Sequence, residues 1–350
     1  MQASVFYGGT DIRLEELPTP EPGPGEVLFR VRSAGVCGSD LHPYRSTTPM
    51  EPHQRGHELA GEVVALGDGV TSLSVGQRVG IEAEHLLGCG DCQFCNQGQY
   101  HICPTRGLRH GERQSSHGFS EYDVCVAENC YPLPEHVSYD AAAILDCYAC
   151  GVHALNRTPV SPTDTVVVLG TGAIGFTLGQ LAKTYGAGRV VMVGTRPEPL
   201  EVAMKAGAAD IVVANSQRDP VEAVMEITDG HGADSVFETV GGSAPTMSQS
   251  IDMSRNGGAI SVLGLFPEPV TISAAAAMRK ELRIEWSNSY SSWQGISEYQ
   301  TALDILADGK VNADPIITTH YPLSDINAAF EAANDKRSSG AIKVMVHSIG

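Results

Sequence analysis

The chain has 350 residues, 42% of them hydrophobic and 18% charged, a length and balance that suit about two globular domains with sizeable cores. The 41 acidic residues outnumber the 23 basic ones and leave a formal net charge of −18, which argues against nucleic acid and anionic membrane surfaces as partners. Met1 to Gly9 carries neither the basic nor the apolar region of a signal peptide, and no run reaches the ~18 apolar residues of a membrane span, so a cytoplasmic protein with reduced thiols is expected. The nine cysteines then read as metal ligands or buried thiols, not as disulfides.

The N-terminal region, residues 1–150, opens with Pro18, Pro20, Pro22 and Pro24 around Gly23 and Gly25, a stiff turn segment. Glu26–Ala34 follows as a strand by its alternation and its β-branched and aromatic content. Residues 59–67 and 76–81 read as further short strands between glycine turns, an all-β pattern. The first strand runs into Cys37-Gly38-Ser39-Asp40-Leu41-His42, and the second is preceded by Gly56-His57-Glu58. A thiol and an imidazole are side chains that zinc prefers, and a hydroxyl beside a second imidazole can carry protons at neutral pH. Strand ends of this kind can hold exposed chemistry on a rigid support.

Cys89, Cys92, Cys95 and Cys103 have the spacing C-x2-C-x2-C-x7-C. Four thiolates on a short glycine-bearing lobe predict a closed tetrahedral zinc site that stiffens structure and leaves no ligand position for a substrate. Iron accepts sulfur ligands too, but nothing else in the chain suggests a redox cluster. His117, in a Ser- and Gly-containing loop, either lines a pocket or is merely exposed, and Cys125 and Cys130 carry no spacing signal.

Residues 151–285 change rhythm. Thr165–Leu169 is a short apolar run of the kind a buried parallel strand needs, followed by Gly170-Thr171-Gly172-Ala173-Ile174-Gly175 and an apolar-periodic helix to about Tyr185. Glycines between a buried strand and a helix permit a tight turn and close approach of backbone to a pyrophosphate. Strands recur at residues 190–193, 210–213, 235–238 and 259–263 with helical segments between, which predicts a doubly wound parallel sheet that binds a dinucleotide. The second strand ends in Gly194-Thr195-Arg196 and lacks the acidic residue that accepts an NAD ribose hydroxyl. Gly194 leaves room for a 2′-phosphate, Arg196 can pair with it and Thr195 can hydrogen-bond to it, so NADP(H) is expected over NAD(H). The competing reading is an arginine stacked on adenine in an NAD enzyme.

Taken in order, Cys37-Gly-Ser-Asp-Leu-His42, Gly56-His57-Glu58, the four-cysteine lobe and the glycine loop resemble the zinc-dependent medium-chain alcohol/polyol dehydrogenases across essentially the whole chain. The resemblance implies an α/β fold: a GroES-like, β-rich catalytic domain at residues 1–150, rejoined by 286–350, and a Rossmann domain at 151–285, with catalysis in the cleft between them. It also implies a catalytic zinc on Cys37, His57 and a third ligand. Asp146 lies five residues before Gly151, the spacing the family uses, and a carboxylate in an Ala-rich apolar stretch is costly to bury unless neutralised; the neighbouring Cys147 competes, and helix capping is the alternative role of Asp146. Cys147 and Cys150 otherwise read as small buried residues. Asp40 is placed to orient His57, Glu58 to approach the metal or support it, and Ser39 and His42 to relay a proton.

The tail supplies helices at 298–307 and 324–334 and a last strand at 342–346, and Trp286, Tyr290 and Trp293 read chiefly as core. Hydride transfer between NADP(H) and a secondary alcohol, polyol or cyclitol, or the corresponding ketone, is the expected activity. Tyr44, Arg45, His117 and Ser291 favour a polyhydroxylated small-molecule substrate. An NAD-dependent polyol or sugar dehydrogenase, a dinucleotide sensor with structural zinc only, and a zinc-free quinone or enoyl reductase are the rivals, the last disfavoured by the ligand set. Bacterial-type relatives imply a homo-oligomer, tetramer or dimer.

Overall fold

The computed structural model describes residues 1–48, 50–83, 88–105 and 117–348. They divide into two units, one of Met1–Asp146, Ser291–Ala307 and Ile317–Gly350, the other of Cys147–Tyr290 and Asp308–Ile316. In the first unit, β1 (Gln2–Phe6) and β2 (Ile12–Glu16) form an antiparallel hairpin. The ten residues of β3 (Glu26–Gly35) bury Val27, Phe29 and Val31 and leave Leu28, Arg30 and Arg32 half-buried, the period of two that the sequence announces. A short 3-10 turn (Gly38–Asp40) and α1 (Leu41–Arg45) follow, then β4 (Glu58–Leu66), β5 (Arg78–Glu82), α2 (Gln93–Asn96), β6 (Tyr122–Val126), β7 (Cys130–Pro132), α3 (Tyr139–Ala143) and α4 (Leu145–Arg157).

The second unit is a six-stranded parallel sheet. Its strands are β8 (Thr165–Leu169), β9 (Arg189–Gly194), β10 (Ile211–Ala214), β11 (Ala233–Glu238), β12 (Ser254–Val262) and β13 (Arg283–Trp286), in the spatial order β10-β9-β8-β11-β12-β13. Val166, Val167 and Val168 are all fully buried, because helices cover both faces. Those helices are α5 (Ala173–Thr184), α6 (Pro197–Lys205), α7 (Pro220–Ile227), α8 (Thr246–Met253) and α9 (Ala274–Arg279). Proline opens α6 and α7, where its missing amide hydrogen costs nothing, and Asp219 caps α7 by accepting from the amides of Val221 and Glu222 at 2.9 Å each. The strand order reverses between β8 and β11, where a doubly wound sheet binds its ligand. Trp286, expected in a core, stands 62% exposed on the edge strand β13, whereas Tyr290 is fully buried.

The chain then returns to the first unit through β14 (Ser292–Trp293), β15 (Ile296–Ser297), α10 (Glu298–Ala307), β16 (Ile317–Pro322), α11 (Ile326–Asn334) and β17 (Lys343–His347). These close a sheet of order β16-β17-β3-β4-β5-β7. One long strand, β3, serves two partners on the same side: β6 pairs with Glu26–Arg30 and β17 with Ala34 and Gly35. Phe330 of α11 seals the core, with its ring 5.1 Å from Phe6 and 5.5 Å from Phe119, both edge-on. Tyr44, expected near a substrate, belongs to this core, 5.5 Å from Phe330.

Candidate metal centres and dinucleotide site

The four-cysteine lobe closes on itself. The Sγ atoms of Cys89, Cys92, Cys95 and Cys103 lie within 4.8 Å of one another, with Cys89 to Cys95 at 3.9 Å and Cys92 to Cys103 at 3.8 Å. Ligands at the ~2.3 Å of a Zn–S bond stand about 3.8 Å apart in a tetrahedron, so the spacing fits zinc. Backbone amides point at the sulfurs: Cys92 donates to Cys89 at 3.3 Å, Cys95 to Cys92 at 3.5 Å and Cys89 to Cys103 at 3.4 Å. The amide of Asp91, the Thr105 hydroxyl and the amide of Cys92 bring the Cys89 thiol down to about 6, while burial and the three neighbouring sulfurs push the Cys95 thiol up to about 12, as expected where four thiols crowd together. Gly98 adopts φ +76°, and a Cβ there would meet Ser292 Cβ at 2.8 Å; the Ser292 amide donates to the Gly98 carbonyl at 3.0 Å and ties the lobe to β14.

The second cluster is assembled from distant residues. Cys37 ends the extended chain after β3, His57 and Glu58 start β4, and their ligand atoms lie within 4.8 Å of one another. Cys37 and His57 are half-buried, while Glu58 is buried. Asp146, buried in the first turn of α4, is not a member of that mutual set, but its charge bears on His57. Burial alone would lower the His57 pKa; the Cys37 sulfur and the Asp40 and Asp146 carboxylates outweigh it and raise the pKa well above its ordinary value. A thiol, an imidazole and carboxylates gathered with this negative surplus suit a divalent cation, and the partial exposure of Cys37 and His57 leaves an approach for substrate.

Around these groups stands a supporting shell. Asp40 is buried, accepts the Cys37 amide at 3.0 Å, and has Oδ1 3.8 Å from His57 Nδ1 and 3.9 Å from the Arg55 guanidinium. Burial pushes the Asp40 carboxyl up; His57, the Cys37 amide and Arg55 pull it back. Glu58 is ion-paired with Lys343 of β17, both buried, and Lys343 also donates to the Val36 carbonyl at 3.2 Å. Gly35 makes space for that pair: a Cβ there would collide with the Glu58 carboxylate and meet Lys343 Cε at 2.8 Å. Arg55 and Lys343 have no motif of their own and escaped sequence reasoning. The only hint of Lys343 is a lone cation in an apolar final strand.

Ser39 and His42 are exposed, on the 3-10 turn and on α1. The other residues expected near a substrate have partners of their own. Arg45 donates to Asn334 at 2.7 Å, the His117 amide donates to Asp123 at 2.8 Å, and Ser291 is buried with its amide donating to Glu298 at 2.8 Å. Cys125 and Cys130, which carried no signal, face each other at 3.1 Å between Sγ atoms in the core.

In the second unit a cavity of about 380 Å³ lies over the carboxyl ends of β8 and β9, lined among others by Gly170, Thr171, Gly172, Gly194, Thr195 and Asn215. Gly170 takes φ +117°, and a Cβ there would meet Thr239 Oγ1 at 2.6 Å. Gly175 lets α5 pack against the loop, since a Cβ would strike the Gly170 carbonyl. No atom within 4 Å would meet a Cβ at Gly172, so its backbone faces open space where a pyrophosphate can approach. Ala173 and Ile174 form the first turn of α5 behind it. A Cβ at Gly194 would lie 2.5 Å from Thr171 Cγ2, so an acidic side chain there would displace the glycine loop. Thr195 is exposed, and Arg196 is half-buried at the N-cap of α6. Asn215, whose amide donates to the Gly194 carbonyl at 2.9 Å, is a lining residue with no motif behind it.

A dinucleotide-type sheet in one unit, with a thiol–imidazole–carboxylate cluster and a separate four-thiol lobe in the other, is what a metal-dependent dehydrogenase requires. Residues 23–135 match the family described as alcohol dehydrogenase GroES-like domain, and residues 173–308 match the zinc-binding dehydrogenase family. The chain is 35% identical to a sorbitol dehydrogenase of Halalkalibacterium halodurans over 98% of its length and 97% of that relative. It is 34% identical to a D-arabitol-phosphate dehydrogenase of Enterococcus avium over 95% and 93%. A candidate zinc-binding dehydrogenase from Sinorhizobium meliloti, solved bound to NADP, superimposes with a TM-score of 0.82 at 28% identity, covering 99% of this chain and 100% of that one. The chain belongs to the zinc-dependent medium-chain alcohol/polyol dehydrogenase family. It is therefore a zinc-dependent oxidoreductase that uses a nicotinamide cofactor, and the reading as a non-catalytic sensor falls away. Among the described residues no helix is long and apolar enough to cross a membrane.

Proposed function

We infer that the enzyme oxidises a polyol or other secondary alcohol, or reduces the corresponding ketone, with NADP(H). The observation that carries this reading is the clustering of Cys37, His57 and Glu58, with Asp146 acting on His57. Cys37, His57 and Asp146 would hold the catalytic zinc, with Glu58 as the neighbouring carboxylate kept in place by Lys343. Cys89, Cys92, Cys95 and Cys103 would hold the structural zinc. When bound, the catalytic zinc supplies a Lewis acid that polarises the C–O bond and lowers the alcohol pKa, and the nicotinamide supplies the hydride acceptor.

The protein's own groups bind, orient and move the proton. Asp40 accepts the Cys37 amide and sets its negative charge 3.8 Å from Nδ1 of His57, which favours a positive charge at that ring and at a metal beside it. The Ser39 hydroxyl accepts the alcohol proton and passes it to His42, whose exposure opens the way to solvent. Gly170, Gly172, Ala173, Ile174 and Gly175 present backbone to the pyrophosphate. Gly194, Thr195 and Arg196 receive the 2′-phosphate, Arg196 by charge-assisted hydrogen bonds. Similarity to relatives named for sorbitol and arabitol phosphate supports a polyhydroxylated substrate. The exposed Trp286 on the edge strand β13 supports a homo-oligomer.

The test is a panel of secondary alcohols, polyols and cyclitols offered to zinc-loaded protein with NADP+ and with NAD+. Reduced cofactor with a polyol, and a lower KM for NADP+, is expected. Absence of reduced cofactor with every alcohol would sink the reading, and a lower KM for NAD+ would move it to an NAD-dependent polyol dehydrogenase.

A further inference from the structure

Apart from the residues of both cysteine clusters, three side chains of the first unit converge from three elements. Asp140 comes from the first turn of α3, His320 from β16 and His347 from the end of β17. β16 and β17 are parallel, with His320 opposite Met345, so His347, two residues on, shares its face of the sheet. The imidazoles stack with centroids 5.3 Å apart and planes at 26°. One nitrogen of each ring and one oxygen of Asp140 all lie within 4.8 Å of one another.

One contact in the trio is a hydrogen bond and the other has the spacing of two ligands on one ion. The Ser33 hydroxyl donates to Asp140 Oδ1 at 2.5 Å and fixes the carboxylate. His347 Nε2 is 2.8 Å from the same oxygen, and His320 Nδ1 is 3.5 Å from Oδ2. The latter distance is too long for a good hydrogen bond. It is close to the ~3.4 Å that separates two ligands each about 2.1 Å from a tetrahedral zinc. Two stacked imidazolium rings would repel each other, whereas two neutral imidazoles can share one cation. The three side chains are 26–47% exposed, so an ion can enter from solvent and keep a water in its fourth position. We propose that Asp140, His320 and His347 form a third metal site, selective for a divalent transition ion of the zinc class, that fastens α3 to β16 and β17. Since β17 also carries Lys343, filling this site stiffens the strand that holds Glu58.

The experiment compares full-length wild type with His320→Ala/His347→Ala, each loaded with zinc, dialysed against micromolar free zinc and assayed for metal per chain. Wild type is expected to hold one zinc more than the double variant, and added zinc is expected to raise the melting temperature of wild type by more than that of the double variant. Equal zinc content with equal melting shifts would overturn the proposal. The difference between proteins is the readout, so it stands apart from the filling of the other two sites. Should the double variant fail to fold, His320→Ala alone decides by the same difference, because His320 is nearly half exposed.

Discussion

The two cysteine-bearing centres of the first unit are built in opposite ways. The four-thiol lobe draws every ligand from residues 89–103, and its own backbone amides solvate its sulfurs. The Cys37–His57 cluster gathers its side chains from the chain after β3 and the start of β4, feels the charge of Asp146 on α4, and takes from β17 the cation that balances Glu58. A local centre can form as soon as its segment turns. A dispersed one depends on sheet register and on buried charge, and it keeps the exposure that a substrate needs.

Exchanging one thiol in each centre should break this contrast most sharply. Cys37→Ser is expected to lower kcat/KM by about 10³–10⁴, the several kcal/mol attributable to Lewis-acid catalysis, with one zinc lost and little change in melting temperature. Cys92→Ser should do the reverse: loss of several kcal/mol of stability as the lobe loses its metal, with activity falling in step with folded protein. Metal analysis, kinetics and calorimetry on both variants would show it, and a large melting change in Cys37→Ser would contradict the distinction. Next in size, Lys343→Met should cost about 3–5 kcal/mol in chemical denaturation, because Glu58 is left buried and uncompensated; adding Glu58→Gln should restore part of it. Full cost in the double variant would mean that the pair is not the cause.

Arg196→Ala tests the other unit, where the site is again local. The loss of charge-assisted hydrogen bonds predicts an NADP+ KM about 10–100-fold higher and an NAD+ KM nearly unchanged. Parallel changes for both cofactors would assign Arg196 to adenine. Smallest, Gly35→Ala should cost about 1–3 kcal/mol by crowding the Glu58–Lys343 pair. The same change in Lys343→Met should cost less, and a double-mutant cycle with no coupling would place the strain elsewhere.

What the sequence discloses follows the same division. The lobe, the glycine loop with its strand and helix, and the two-domain α/β architecture are legible because each rests on short-range spacing or periodicity. Cys37, His57 and Asp146 needed a family resemblance, since one thiol or one imidazole carries no spacing. Lys343, Arg55 and Asn215 could not be foreseen, because their roles exist only once β17, the segment before β4, and β10 are in register. Tyr44 misled for a physical reason: its polarity suggested a substrate contact, but its ring is needed in the aromatic core around Phe330. Trp286 misled in the opposite sense, a large apolar ring left on a sheet edge.

The placement of Lys343 in β17 also has a bearing on biosynthesis. A ribosome delivers Cys37, His57, Glu58 and Asp146 long before it delivers residue 343, so through most of translation the nascent site lacks the cation that balances Glu58. A chain that stops short of residue 343 would carry the cysteine and histidine motifs and the six-stranded parallel sheet complete, yet leave the Glu58 carboxylate without its cation.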